Sequence, residues 1–104
     1  MIVFISGPIS HRRFYKTRFW MAERLLRAAG YDVLNPTTLP RWLSHEDAMH
    51  ICYAMIDCVD MVVHLRDWEQ SLGSIMEGTY AKSKWIPVVG IGDLLYGNRP
   101  KRIK

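Results

Sequence analysis

In the segment DWEQSLGSIMEGTYAKSKW, residues 67–85, Glu77 is the one acid of the second half, set among the small residues Gly73, Ser74, Gly78, Thr79 and Ala81. Ser71, Gly73 and Ser74 stand where a short helix should begin. A hydroxyl beside the unpaired N–H groups of a helix N-terminus, at its positive dipole end, makes a cradle for phosphate. Glu77 follows Ser71 by six residues, about 9 Å along an ideal helix. A phosphate held at Ser71 therefore leaves Glu77 about one sugar ring away. The dipole near the helix start favours an ionised carboxylate. Such a carboxylate beside an anomeric carbon suits attack on an N-glycosidic bond, whose transition state is oxocarbenium-like and cationic. The alternative is an exposed helix glutamate that serves only as a partner to the dipole.

A second candidate stretch is Ser6-Gly7-Pro8-Ile9-Ser10. Gly7 lets a ligand approach the backbone, and the helix that follows offers further N–H groups. The stretch is neither GxGxxG nor a P-loop, so neither dinucleotide nor triphosphate binding follows from it. Arg12 and Arg13 either pair with a phosphate or lie on a solvated face. Trp68 either stacks on a base or packs. Tyr15 either borders a sugar or fills an ordinary helix position. His64, inside an apolar strand, reads as a satisfied core histidine. Cys52 and Cys58, six apart, match no metal signature and no CxxC pair, so they read as reduced, packing thiols. His50, Tyr53 and Asp57 share one helical face, suited to solvent or to a subunit contact.

The elements that must carry these residues follow from the apolar pattern. IVFIS (2–6) and MVVHL (61–65) are continuous apolar runs, as in strands covered on both faces. Phe14, Phe19, Trp20, Met21, Leu25, Leu26 and Ala29 recur at helical spacing, and Gly30 stops that helix. YDVLNP forms a short second strand closed by Asn35-Pro36. TTLPRWL is a loop. Ser44, with Asp47 three residues later, caps a helix running to about Asp57, with Ala48, Met49, Cys52, Met55 and Ile56 inward. A third helix spans about 73–83, and IPVVGI (86–91) is the last strand. The order β-α-β-α-β-α-β predicts a parallel sheet with helices on both faces. Ligands of such sheets sit at the carboxyl ends of the strands, which brings SGPIS, NPTTLP and RDWEQSLGS to one edge.

On these motifs the chain resembles the nucleoside 2-deoxyribosyltransferase superfamily, especially its compact branch of uncharacterised phage and bacterial proteins. The residues that carry the resemblance are FISGPIS, AAGYDVLNP, CVDMVVHL and the spacing W-x-x-S-x-G-S-x-x-E from Trp68 to Glu77. The likeness covers about residues 1–91 and leaves 92–104 as an extension with a partly basic tail. It implies a Rossmann-like, flavodoxin-type parallel sheet of four to five strands, and a Glu nucleophile that falls on Glu77. It also implies substrate contacts from Ser6, Gly7, Pro8 and Ile9, from Cys52, and from Trp68, Ser71, Gly73 and Ser74. Six residues before the nucleophile the transferases carry an Asp that handles the base. Ser71 at that position is similar to the 2′-deoxynucleoside 5′-phosphate N-hydrolases, where a serine helps hold the 5′-phosphate. The resemblance thus favours a nucleotide over a nucleoside, and hydrolysis over transfer.

One position departs from the family. Its second acid, counted back from Asp60, falls on Cys52, and a thiol is a poor proton donor to a leaving base. Asp57 lies about 140° round the helix from Cys52, and His45 returns to the same face about two turns away. Either another group protonates the base, or turnover is slow, or binding persists without turnover. The expected function is hydrolysis of a (deoxy)nucleoside 5′-monophosphate, with no metal or organic cofactor. The alternatives are a nucleotide-binding protein without catalysis and a deoxyribosyltransferase.

Composition bounds the rest. The 104 residues suffice for one domain, and 49% hydrophobic with 23% charged is usual for a packed chain. The formal charge of +4 is concentrated in residues 11–18 and 98–104 and attracts anionic ligands. A nucleic-acid partner is not expected, because basic residues are not interleaved with aromatic platforms on a strand. No apolar run is long enough to cross a bilayer and no leader precedes a cleavage site, so a cytoplasmic protein is expected, in the host cytoplasm if phage-encoded. The resemblance also implies a homodimer.

Overall fold

A computed structural model of the protein describes residues 1–9 and 14–97. Ser10, Arg12, Arg13 and the basic tail 98–104 lie outside the described residues. The elements in chain order are β1 (Ile2–Ser6), α1 (Tyr15–Ala28), β2 (Asp32–Leu34), α2 (His45–Ile56), β3 (Met61–His64), α3 (Leu72–Ser83), β4 (Val88–Gly90) and α4 (Ile91–Tyr96), with single 3-10 turns at Pro36–Thr38 and Trp68–Gln70. The four strands are all parallel, in the order β2-β1-β3-β4. The architecture is α/β, of the Rossmann-like, flavodoxin type. Among the described residues no helix is long and apolar enough to cross a membrane.

The two central strands are apolar up to their last residues, Ser6 and His64, because both of their faces are covered. Val3 and Ile5 of β1, with Met61 and Val63 of β3, meet Phe19, Ala22 and Leu26 of α1. Phe4 and Val62 point the other way, toward Cys52, Ile56 and Ala81 of α2 and α3. A side-chain period of two therefore divides one apolar run between two cores. The same alternation puts Ser6 and His64, which pair in register, on the α2–α3 side.

Helix ends follow the local chemistry. The Ser44 hydroxyl accepts from Asp47 N at 3.0 Å, and the Ser71 hydroxyl accepts from Ser74 N at 3.2 Å. Gly30, at φ 98°, closes the end of α1. Two segments differ from the sequence reading. IPVVGI contributes only Val88–Gly90 as a strand, and Ile91 opens α4 instead. The loop after β2 contains a 3-10 turn capped by the Asn35 side chain, which accepts from Thr37 N.

The α1 stripe is also narrower than its apolar residues imply. Phe19 and Leu26 are buried, whereas Phe14, Trp20, Met21 and Leu25 are exposed, Trp20 at 55% with the Arg24 guanidinium 5.0 Å from its ring centre. A helix that covers one face of a small sheet buries only about a third of its circumference. Leu26→Ala should therefore cost about 2–5 kcal/mol in urea unfolding, while Trp20→Ala costs less than about 1 kcal/mol. Equal losses at the two positions would contradict the division of α1 into a buried and a solvent face.

Candidate functional site

Ser6 ends β1 fully buried, and its hydroxyl donates to Oε1 of Glu77 at 2.6 Å, across 71 residues of chain. Glu77 is 7% exposed, which replaces the exposed-glutamate alternative. The buried Cys52 thiol on α2 adjoins the carboxylate, and each group shifts the ionisation of the other. Strand β1 and helices α2 and α3 each contribute one polar side chain to this contact.

Glu77 faces a cavity of about 1110 Å³ between the loop after β1, residues 36–45, α2 and the start of α3. Gly7, Pro8, Ile9, Cys52, Ser71, Gly73 and Ser74 line it, as expected for residues at the carboxyl edge of the sheet. Gly7 is closely packed, since a Cβ there would stand 3.0 Å from the Leu65 side chain, which would have to give way by a few tenths of an ångström. Tyr15 also lines the cavity, together with Arg41, Leu43, His45 and Met49. Arg41 and Leu43 went unnoticed because their stretch read only as a loop.

Ser6 and Trp68 do not line the cavity. Ser6 lies behind Glu77 and touches the carboxylate. Trp68 stacks on the His64 ring, with centroids 4.1 Å apart and planes 11° from parallel. His64 Nε2 lies 3.3 Å from the Ser74 carbonyl, and a Cβ on Gly78 would meet His64 Cε1 at 3.0 Å. The glycine thus lets α3 settle against the end of β3. Burial holds the His64 imidazole below its usual range. Asp57, which caps the end of α2, accepts from the Tyr80 hydroxyl at 2.7 Å, and Tyr53 of α2 stacks on Tyr80 at 4.4 Å, so these two residues serve the α2–α3 contact. His50 is exposed.

The start of α3 keeps the features of an anion cradle. Ser71 caps it while retaining its own O–H to donate. Ser74 is buried, and its Oγ has no hydrogen-bond partner. A buried hydroxyl left unpaired costs about 1–3 kcal/mol, so a ligand that accepts from it regains that energy.

The electrostatics differ from the dipole argument. Glu77 is the sixth residue of α3, beyond the first turn where the dipole acts. Burial dominates and pushes the Glu77 carboxyl up to about 7, with the hydrogen bonds from Ser6 and Cys52 partly opposing it. Burial, and then the charge and hydrogen bond of Glu77, push the Cys52 thiol up to about 12. Among the described residues, no three His, Cys, Asp or Glu side chains cluster as metal ligands.

The titration of Glu77 makes stability depend on pH. The folded chain holds the proton up to about pH 7, whereas the unfolded value is 4.5. Protonated Glu77 thus contributes stability below pH 4.5, and the contribution is lost as the pH rises through 7. Glu77→Gln, neutral and of the same shape, should gain on the native chain between pH 5 and pH 9, reaching roughly 3 kcal/mol. Urea melts at the two pH values measure this. A gap that does not change with pH would mean that Glu77 titrates at its ordinary value.

Three comparisons bear on these features. No curated protein matches the sequence. The Clostridium botulinum CMP N-glycosidase BcmB is similar in structure, with a TM-score of 0.65 and 18% sequence identity, over 86% of this chain and 70% of that one. At that identity the likeness establishes a shared fold. The model of DUF4406, a domain of unknown function, matches residues 1–90, and the chain belongs to that family.

Proposed function

We propose that this DUF4406 protein is an N-glycosidase that hydrolyses a nucleoside 5′-monophosphate to free base and sugar phosphate. One observation carries the reading. A buried carboxylate, held from behind by Ser6 and flanked by Cys52, faces a cavity whose wall one helical turn away holds the unpaired Ser74 hydroxyl. The substrate of the similar enzyme, CMP, is itself a nucleoside 5′-monophosphate, which agrees with the reading.

The phosphate lies at the start of α3 and accepts from Ser71, Ser74 and backbone N–H groups. This orients the sugar with C1′ toward Glu77. The ionised carboxylate bonds to C1′ as the base leaves, forming a glycosyl ester. Ser6 keeps its hydrogen bond to the carboxyl group and fixes its orientation. Water then hydrolyses the ester, and no metal or organic cofactor enters these steps. Gly7, Pro8 and Ile9 border the sugar and base.

A second reading is a nucleotide-binding protein without turnover. Cys52 favours it, because the group beside the nucleophile is a thiol that keeps its proton. The two readings separate on incubation with nucleoside 5′-monophosphates varied in base and sugar, with released base read by chromatography. Release that disappears in both Glu77→Ala and Glu77→Gln supports the glycosidase, and binding without product supports the second reading. Base release should also rise with pH through about 7, following the ionisation of Glu77. Ser74→Ala should raise KM for a monophosphate about tenfold and leave KM for the matching nucleoside unchanged. Equal effects on both would detach Ser74 from the phosphate.

A further inference from the structure

Attack at an anomeric carbon succeeds only if the base can depart. An ordinary nucleobase leaves as an anion unless an acid protonates it, and such an acid contributes typically 10²–10⁴-fold. Two side chains adjoin the nucleophile, the Ser6 hydroxyl and the Cys52 thiol. The Ser6 hydroxyl donates a hydrogen bond to Glu77 Oε1 at 2.6 Å and does not line the cavity. The Cys52 thiol is buried and lines the cavity beside Glu77. Held up to about 12, that thiol does not part with its proton at neutral pH. His45 opens α2 seven residues before Cys52, about 10 Å away along the helix axis. The turn between them presents Met49 and Ala48 to the cavity, and Leu39 and Leu43 add further apolar wall. Among the described residues, the side chains that adjoin Glu77 are thus a hydroxyl and a thiol that do not protonate a base, while Tyr15, Thr37 and Arg41 line the cavity from other segments of the chain.

We propose that the preferred substrates are nucleoside 5′-phosphates whose base already carries a positive charge, a pyridinium or an N7-alkylated purine; this rests on the N-glycosidase reading above. Such a base needs no proton in order to leave. A Glu77 oxygen forms a bond to C1′ and the C1′–N bond breaks. Its electron pair stays on the ring nitrogen and cancels the positive charge, so the base departs neutral. Water then attacks C1′, and the ester C–O bond breaks with its electron pair returning to Glu77. The surplus proton of the water passes to solvent. The products are a neutral base and a sugar 5-phosphate. Before reaction the ionised Glu77 carboxylate also faces a cationic ring, an attraction strengthened in a site shielded from water.

The test uses the full chain and two pairs of probes matched in shape and differing in charge. One pair is nicotinamide mononucleotide and its reduced, uncharged form; the other is 7-methyl-GMP and GMP. Base release is followed by chromatography, and kcat/KM is compared within each pair. A working general acid on the protein would raise the uncharged member and bring the two close together. The expected result is a preference of about 100-fold or more for the charged member, in whichever ring class the cavity accepts, with release lost in Glu77→Gln. Rates within tenfold of each other in the accepted class would overturn the charged-base assignment and leave the N-glycosidase reading standing. If no member of either pair releases base while another nucleoside 5′-monophosphate does, the charged-base assignment falls and the N-glycosidase reading stands; no release from any monophosphate removes both.

Discussion

A carboxylate withdrawn from water must be either neutral or surrounded by donors, and Glu77 is held between the two conditions. Burial drives it toward the protonated form, while the Ser6 hydroxyl and the Cys52 thiol stabilise the charge. The balance at about 7 lets it ionise under ordinary conditions without the heavy cost of a permanently charged interior group. Everything else at the site follows from keeping that carboxylate in place. Strand β1 must end in a short hydroxyl residue, α2 must bring a small polarisable group against α3, and α3 must lie close enough to the sheet for both contacts to form.

The parallel sheet meets these demands with little specialised structure. In β1 the alternation that buries Phe4 also turns Ser6 toward α3, two residues later on the same face. In β3 the register brings His64 beside Ser6, where its ring reaches the Ser74 carbonyl. Core packing and site geometry are therefore set by the same strands. Rigidity is supplied where it is needed, because the site residues sit at the ends of packed elements and the loops supply mainly the wall of the cavity.

Much of this was legible in the amino-acid order. Two uninterrupted apolar runs marked the central strands, Ser44 and Ser71 marked helix starts, and the carboxyl-end rule gathered the cavity loops. Glu77 stood out because its neighbours are small. The rest depended on long-range contacts that no local pattern encodes. The dipole argument pointed toward a readily ionised Glu77, but burial set by residues dozens of positions away outweighs it. Trp68 read equally as a base-stacking group, and only the position of His64 shows the ring in use elsewhere. The role of Ser6 in holding Glu77 was visible in principle from its parity with Phe4. The apolar stripe of α1 overstated burial because spacing records which residues share a face and says nothing about how wide the covering sheet is.

Ser74 and Glu77 lie three residues apart on one uninterrupted helix, and His64 braces the first turn of that helix against the sheet. On the proposed reading the anchor and the attacking group therefore act as two marks on a stiff rule. Their separation is a property of helical pitch and does not change as loops breathe or the cavity walls shift. A ligand whose anionic end sits farther from its reactive carbon, as in a pyrophosphate-linked compound, would be held out of register however well its ring fits. The fold would then discriminate by length before any contact with the base is made.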